Sequence, residues 1–501
     1  MRFTFARRAE VPLKYFLLAG VGAGVIFRFA TLGRQSLWVD EIITLKNSYV
    51  DAPGIFSSFF RTLQGPAISL MMHFWAGLSG GDAFMRLPFA VAGALTVLAI
   101  YWLAKILFDS WTALHTVFVA SLSPILIWYS QEIRGYAFAV LFSVLATYFF
   151  VSWLARPTSR NAFLYGVCLF AGLVSNLTTS FVAIAHFAYL VGASGRRRLI
   201  GRWIVVTFVV LLLFSPWVRE IVERSRPEPA AAGRSAAEIG GGGLSVLAIP
   251  YAYFTYGVGY TLGPTVRELQ TEQAKAIGDN AGWILLALAT FGTALAVGIV
   301  RMARTNRNLL ILILVWLCVP VAAAAALAAL NVKAFNVRYG LVAVPAFVLL
   351  TGQGLAAITR TRFWPFVLVF TAVVGVALYN YVATPGYGKE DSREVARIIR
   401  TEYQPGDVVV AVYTVEALEH YLEGLTGVDV FEASDIASPE AMTARCRLMA
   451  DDANRVWLSL CREWMVDRRG TIKAWFDDNM DLVASRTVPG FRLYLYERRD
   501  Q

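Results

Sequence analysis

Apolar runs of roughly membrane-crossing length recur along this chain, and nothing else in it narrows the available folds so far. An α-helix rises about 1.5 Å per residue, so a hydrocarbon layer of about 30 Å asks for roughly 20 apolar residues. Such runs lie near 15–33, 83–104, 112–130, 136–154, 161–175, 179–193, 202–217, 281–301, 308–330, 338–357 and 363–382. The fifth and sixth are short, and only the turn-like "SNLTTS" separates them. Composition agrees: 57% of the 501 residues are hydrophobic, 16% are charged, and the mean hydropathy is +0.56. A water-soluble protein of this length needs far more polar surface. The expectation is an all-α polytopic membrane bundle of about 11 transmembrane helices. No small-residue cleavage site follows the first run, Tyr15–Ala30, so it reads as a signal anchor.

The loops carry their basic residues unevenly. Arg2, Arg7, Arg8 and Lys14 share one side of the expected bundle with "ARPTSRN", "GRRRLIGR", "RMARTNRN" and "TRTRF". The opposite short loops hold few: Arg134 in one, Lys333 and Arg338 in another. The positive-inside rule then makes the amino terminus cytoplasmic, and an odd number of crossings leaves the carboxy terminus outside. The formal charge of +10 is spread in this topological pattern and forms no patch. A lipid bilayer is therefore the expected environment, and no nucleic acid is expected as a partner.

The transmembrane domain is expected to span 1–382, with outer loops at 34–82, 129–136 and 218–280. The last of these contains "EIGGGGLS", a mobile segment or a plain flexible linker. Residues 383–501 change character. "DSREVARIIRTEY" has helical spacing, "DVVVAVY" is a buried-strand run, and "FRLYLYE" alternates like a closing strand. They are expected to form a C-terminal α/β domain on the outer face. Four cysteines are too few for a disulfide framework. Cys446 and Cys461 lie where a disulfide is permitted, and Cys168 and Cys318 sit in spans as packing residues.

The unusual charges gather on the expected outer side. "SLWVDEIITL" places Asp40 and Glu41 just after the first run, and "YSQEIRGY" carries Glu132 and Arg134. Lys333 and Arg338 stand before a late run. Helix ends in one bundle converge, so acids would face cations at the interface, suiting a substrate with an anionic head and a lipid tail. Ordinary alternatives exist for each residue. Asp40 could cap a helix, Glu41 could be a solvated charge, and Glu132 could bridge to Arg134. If 39–46 is helical, Asp40 and Glu41 point about 100° apart, so only one need be chemical. In a helical turn Tyr129, Glu132 and Tyr136 would share a face. Arg28 is expected to snorkel as a structural residue, and His73 to pack at the interface.

"SLWVDE", "RLPFAVAGALTVLAIYWLAK", "SPILIWYSQEIRGYAF" and "FNVRYGLVAVPAF" occur in this order along most of the chain. Together they resemble the bacterial glycosyltransferase family 39-like proteins of the GT-C superfamily. Lipopolysaccharide galacturonosyltransferases are similar to it, aminoarabinose transferases and protein O-mannosyltransferases more distantly. The resemblance implies a bacterial cell inner membrane enzyme that takes a sugar from a polyprenyl-phosphate donor on the periplasmic side. Its acceptor would be an envelope glycan or glycolipid. It implies Asp40 as catalytic acid/base with Glu41 beside it, and Glu132 as partner in a donor or divalent-metal site. It also implies Arg338 and Tyr339 at the donor phosphate. Where many relatives carry a His-Pro-Pro-like stretch, this chain reads "QGPAISLMMHFW", and His73 is no substitute for the missing histidine.

The chemistry fits these residue types. A carboxylate can take the proton of an attacking hydroxyl, which suits Asp40. A departing phosphate needs fixed cations, which suits Arg338, Lys333 and Arg134, with Tyr136 beside Glu132 in substrate or metal binding. Asp40 and Glu132 are hard oxygen ligands for Mg²⁺, Mn²⁺ or Ca²⁺, if a divalent cation takes part. One base and no enzyme nucleophile favour inversion at the anomeric carbon. The competing class is a lipid-phosphate or glycolipid transporter or flippase; within the enzyme class, pentosyl or mannosyl transfer competes with uronosyl transfer.

Overall fold

All eleven apolar stretches are helical in the computed structural model, which describes residues 2–49, 66–192, 197–224, 245, 247–413, 415–425, 428–431, 438–451, 453–467 and 469–499. Eight of these helices are long and apolar enough to cross a membrane: Val11–Ala30, Asp82–Leu107, Tyr136–Ala155, Ile200–Val218, Ala281–Thr305, Arg307–Ala329, Val337–Arg360 and Pro365–Ala383. A ninth is broken into Ser110–Leu122 and Pro124–Ser130, bent by 54°. The fifth and sixth stretches form the shorter helices Ser159–Ser175 and Leu177–Gly192. The "GGGG" run and Gly65 lie outside the described residues. The chain divides into two units: Met1–Leu32 with Asn47–Tyr381, and Gly33–Lys46 with Val382–Gln501.

The break in the third crossing shows how the bundle handles polar backbone. Pro124 has no N–H, so the carbonyl of Ala120 loses its helical donor, and its neighbours at the helix end are orphaned too. Hydrocarbon offers no water to replace it. The guanidinium of Arg28 does: Nη2 donates to Ala120 O at 3.0 Å, and Nη1 donates to Ser121 O at 2.5 Å and to Gly24 O at 2.7 Å. Arg28 is completely buried. The expected snorkelling is therefore overturned, because the side chain has carbonyls to satisfy inside the bundle. Gly24 permits the approach, since a Cβ there would sit 2.3 Å from the Ser121 carbonyl oxygen. Ser121 Oγ returns a hydrogen bond to Val21 O at 2.7 Å.

In the C-terminal unit five strands are β1 (Val408–Val412), β2 (Val428–Val430), β3 (Arg455–Cys461), β4 (Met480–Val488) and β5 (Phe491–Arg498), ordered β2-β1-β3-β5-β4. β1 runs parallel to β2 and β3; β5 is antiparallel to β3 and β4. Period-two alternation splits the core. Val410, Val412, Leu458 and Tyr496 pack with Met442, Cys446 and Phe476, while Val409, Ala411, Trp457 and Leu495 pack with Val395, Ile399 and Leu418. Burial on both faces explains why "DVVVAVY" reads as an unbroken apolar run.

The same alternation settles the cysteines. Cys446 belongs to the first cluster and Cys461 to the second, and both are buried free thiols, so the disulfide considered from sequence does not form. Burial pushes the Cys446 thiol up to about 12. Cys168 packs in an aromatic-rich core as expected, whereas Cys318 is exposed on its helix.

Replacing Arg28 with Met removes the donors and leaves the freed carbonyls buried, at about 1–3 kcal/mol for each unsatisfied group. The Arg28→Met protein in detergent micelles is expected to melt well below the parent, with Arg28→Lys in between. Equal melting of parent and Arg28→Met would remove this role.

Candidate active site

The turn 131–135 joins the broken crossing to Tyr136–Ala155, and its geometry begins with Gln131. Gln131 Nε2 donates to Phe27 O, Arg28 O and Thr31 Oγ1 at 3.2, 3.0 and 2.6 Å, capping the end of the first helix. Its Oε1 accepts from the Tyr381 hydroxyl at 2.8 Å. The helix stops at Ser130, Arg134 N donates to Glu132 O at 2.7 Å, and helix resumes at Tyr136. Tyr129, Glu132 and Tyr136 thus do not share a helical face as the spacing predicted; the tight turn replaces it. The two phenol rings still meet, 5.2 Å apart and edge to face.

Arg338 and Tyr339 stand on a 3₁₀ segment, Val337–Ala343, whose first turn is capped by Asn336 Oδ1 accepting from Arg338 N at 3.1 Å. The Tyr256 hydroxyl donates to Gly340 O at 2.6 Å and Trp316 Nε1 to Val342 O at 2.8 Å, so its carbonyls are held by neighbouring helices. The segment packs against the helices Tyr136–Ala155 and Ala248–Val258. The Tyr136 hydroxyl lies in the combined field of Arg338, Arg134, Tyr339 and Glu132. Glu132 and Arg338 also act on Tyr129. Five of the residues singled out from sequence, Glu132, Arg134, Tyr136, Arg338 and Tyr339, therefore come together. Glu132 and Arg134 are 1% and 5% exposed, which makes the acid and its neighbouring cation a desolvated group. Lys333 is exposed on the turn after Arg307–Ala329.

Sequence reading passed over Tyr260. Its hydroxyl pairs with that of Tyr129 at 3.0 Å, and its ring packs on Trp128 at 5.4 Å. Desolvation raises its pKa; the Tyr129 bond and Arg338 oppose the rise, and Tyr251 and Glu132 reinforce it. The phenol stays neutral at any physiological pH. Its one sequence signal is the position just past a short apolar aromatic helix, which does not distinguish it from packing.

Asp40 and Glu41 belong to the C-terminal unit, on the helix Val39–Lys46. Trp38 caps that helix: its carbonyl accepts from Glu41 N and Ile42 N, and Glu41 Oε2 reaches back to Trp38 N at 3.4 Å. The fully buried Glu41 pairs with Lys389 Nζ at 3.3 Å. Asp40 is half-buried, with its carbonyl accepting from Thr44 Oγ1 at 2.9 Å. His73 Nδ1 lies 2.8 Å from Ser48 O, which agrees with its being a packing residue. Among the described residues no three His, Cys, Asp or Glu side chains gather in a way that holds a metal ion.

Gly135 makes the turn possible. A Cβ there would fall 2.0 Å from the Ser175 carbonyl oxygen, too close without moving backbone. Gly135→Ala is expected to lower the melting temperature in micelles by several degrees, on the order of 1–3 kcal/mol. An unchanged melt would show that the turn tolerates a side chain.

A family model described as dolichyl-phosphate-mannose-protein mannosyltransferase matches residues 64–219. No curated protein sequence matches the chain. Among solved structures, ArnT from Cupriavidus metallidurans in the apo state is similar with a TM-score of 0.58 and 12% identity, over 97% of this chain and 98% of that one. The same protein bound to undecaprenyl phosphate aligns with a TM-score of 0.56 and 12% identity, over 96% and 98%. The Archaeoglobus fulgidus oligosaccharyltransferase tethered to an acceptor peptide containing the NVT sequon aligns with a TM-score of 0.54 and 12% identity, over 97% of this chain and 74% of that one. With its many apolar helices and small C-terminal sheet, the chain is a multispan membrane protein that shares the fold of these structures, and the family model covers less than half of it.

Proposed function

We propose that this protein transfers a sugar from a polyprenyl-phosphate-linked donor to an envelope glycan or glycolipid acceptor at the periplasmic face of a bacterial inner membrane. The observation that carries the reading is the buried Glu132 and Arg134 with the half-buried Arg338, beside the phenols of Tyr129, Tyr136 and Tyr260. The fold shared with a protein solved with undecaprenyl phosphate supports it. With the bent pair counted as one crossing, the described residues give nine, an odd number that would put the termini on opposite sides, with the amino terminus cytoplasmic by its basic residues.

In this reading Asp40 takes the proton of the acceptor hydroxyl as its oxygen attacks the anomeric carbon. The bond from that carbon to the phosphate oxygen breaks, and the polyprenyl phosphate leaves with the electron pair. Arg338 and Arg134 balance its charge, with Tyr136 and Tyr339 beside them and Lys333 as a more exposed cation. Attack opposite the leaving group inverts the anomeric centre. Glu41, engaged with Lys389, is assigned no proton. A transporter keeps ionisable residues for its cargo inside the spans. Here the buried Arg28 and Arg86 hydrogen-bond backbone carbonyls, which favours the enzyme.

The test uses membranes of a strain lacking the protein as source of both donor and acceptor, with mass spectrometry of the envelope glycolipids as readout. The added mass identifies the sugar, whether uronosyl, pentosyl or mannosyl. Asp40→Asn is expected to cut turnover about 10²–10⁴-fold without changing the melting temperature. Arg338→Gln is expected to weaken donor use about tenfold or more, and Arg338→Lys to rescue it incompletely because a bidentate fork is lost. Full turnover by Asp40→Asn, or a product of retained configuration, would remove the assignment of the base. Because arginines already supply positive charge, turnover is expected to survive chelation. Loss in EDTA that Mn²⁺ or Mg²⁺ restores would instead establish a bound cation.

A further inference from the structure

The helix carrying Asp40 is fastened along its length to the C-terminal unit. Ahead of it, Arg34 Nε donates to Val382 O at 2.8 Å, Arg393 Nη2 to Gly33 O and Arg34 O at 3.2 and 3.0 Å, and Ser36 Oγ to Glu390 O at 2.8 Å. Leu37 N donates to the Tyr421 hydroxyl at 2.8 Å. At its end, Lys46 pairs with Glu419 at 3.0 Å. The contact next to Asp40 differs from these, because both partners are removed from water: the Glu41 and Lys389 side chains are 0% and 3% exposed. Lys389 Nζ also lies 5.8 Å from the Trp38 ring, which Arg462 approaches at the same distance. Arg462 in turn pairs with Glu390 at 2.5 Å. The 389–391 segment is itself pinned, with Asp391 N donating to Pro489 O in the β4–β5 turn at 2.9 Å.

We propose that Lys389 is a positioning residue for the transfer reaction, acting through Glu41 and Trp38 to fix the orientation of the helix that presents Asp40. The inference rests on the reading of Asp40 as the base. Glu41 serves two donors at once, the Trp38 backbone N–H and the Lys389 ammonium, so the first turn of the helix and the sheet-bearing unit share one carboxylate. Asp40 precedes Glu41 on that turn, so holding Glu41 restrains the backbone that carries Asp40. A base must sit within hydrogen-bond reach of a moving proton, and small misplacements cost orders of magnitude in rate. A helix of eight residues is too short to hold its own orientation, so the buried pair supplies what its length cannot.

The test uses full-length protein in micelles, with membranes of the deletion strain as donor and acceptor source, and hydrogen exchange read on the Val39–Lys46 amides. Lys389→Met is expected to lower turnover about 100-fold at saturating membrane lipid. Half-saturation should stay within about twofold, and exchange across Val39–Lys46 should speed by about tenfold or more. Lys389→Arg, which keeps the charge, is expected to recover most of both. If Lys389→Met does not fold, the paired Glu41→Gln/Lys389→Gln variant leaves no lone buried charge and is expected to lose turnover while melting normally. Parent-like turnover by Lys389→Met or by the paired variant overturns the proposal. So does loss of turnover with unchanged exchange at 39–46, or failure of Lys389→Arg to recover what Lys389→Met loses. Full turnover by Asp40→Asn sinks the base and leaves the exchange result standing. An inactive Asp40→Asn with an active Lys389→Met sinks this inference alone.

Discussion

The guanidinium of Arg28 and the backbone carbonyls it serves set the conditions for the rest of the membrane unit. A helix in hydrocarbon cannot break unless something inside the protein replaces the donors that the break removes. Pro124 forces the break, and Arg28 makes it tolerable by donating to Ala120, Ser121 and Gly24 together. The 54° bend that follows carries Tyr129 and the 131–135 turn off the axis of the preceding helix. Gln131 then uses the end of the first helix as its anchor. The buried charge in the first span thus acts on structure, and its consequence is where Glu132 and Arg134 begin.

A second constraint governs the acidic pair that follows the first crossing. Adjacent residues on a helix point about 100° apart, so Asp40 and Glu41 meet different surroundings. Glu41 turns into the C-terminal unit and finds Lys389; Asp40 is left half-buried. A buried carboxylate whose cation is removed costs far more than the pair contributes when intact, so such pairs fix geometry more than they add stability. Two neighbouring carboxylates therefore divide into one fully buried against a cation and one half-buried.

Much of this was legible in the sequence, and the parts that were not share a cause. Hydropathy located the membrane crossings because each run is a local property, and alternation located β1 and β5 for the same reason. Local reading could not tell a snorkelling Arg28 from one that turns inward, since its partners lie more than ninety residues away. Lys389 and Glu41 are 348 positions apart, and nothing near either names the other. Tyr129 and Tyr260 are separated by 131. The cysteine pairing failed on sheet alternation, which decides faces only after the strands have been assembled. Glu132, Arg134 and Arg338 drew attention because charge beside an apolar run is rare enough to stand out before its partners are known.

The charge count at the membrane-unit site carries the functional reading one step further. One carboxylate, Glu132, stands with two guanidiniums, Arg134 and Arg338, and the neighbouring phenol of Tyr260 stays neutral because its desolvation resists ionisation. Taken by themselves, these three side chains carry one more positive charge than negative. A sugar joined to a lipid through phosphate is a diester with one negative charge, and cleavage turns it into a monoester that carries more. Fixed cations gain most from the charge that grows, so they favour the departing phosphate over the intact donor. A carrier protein moving the same lipid unchanged would gain nothing from that difference. Under the proposed reading, an excess of cation at the phosphate end is thus better matched to breaking the lipid-linked bond than to transporting it.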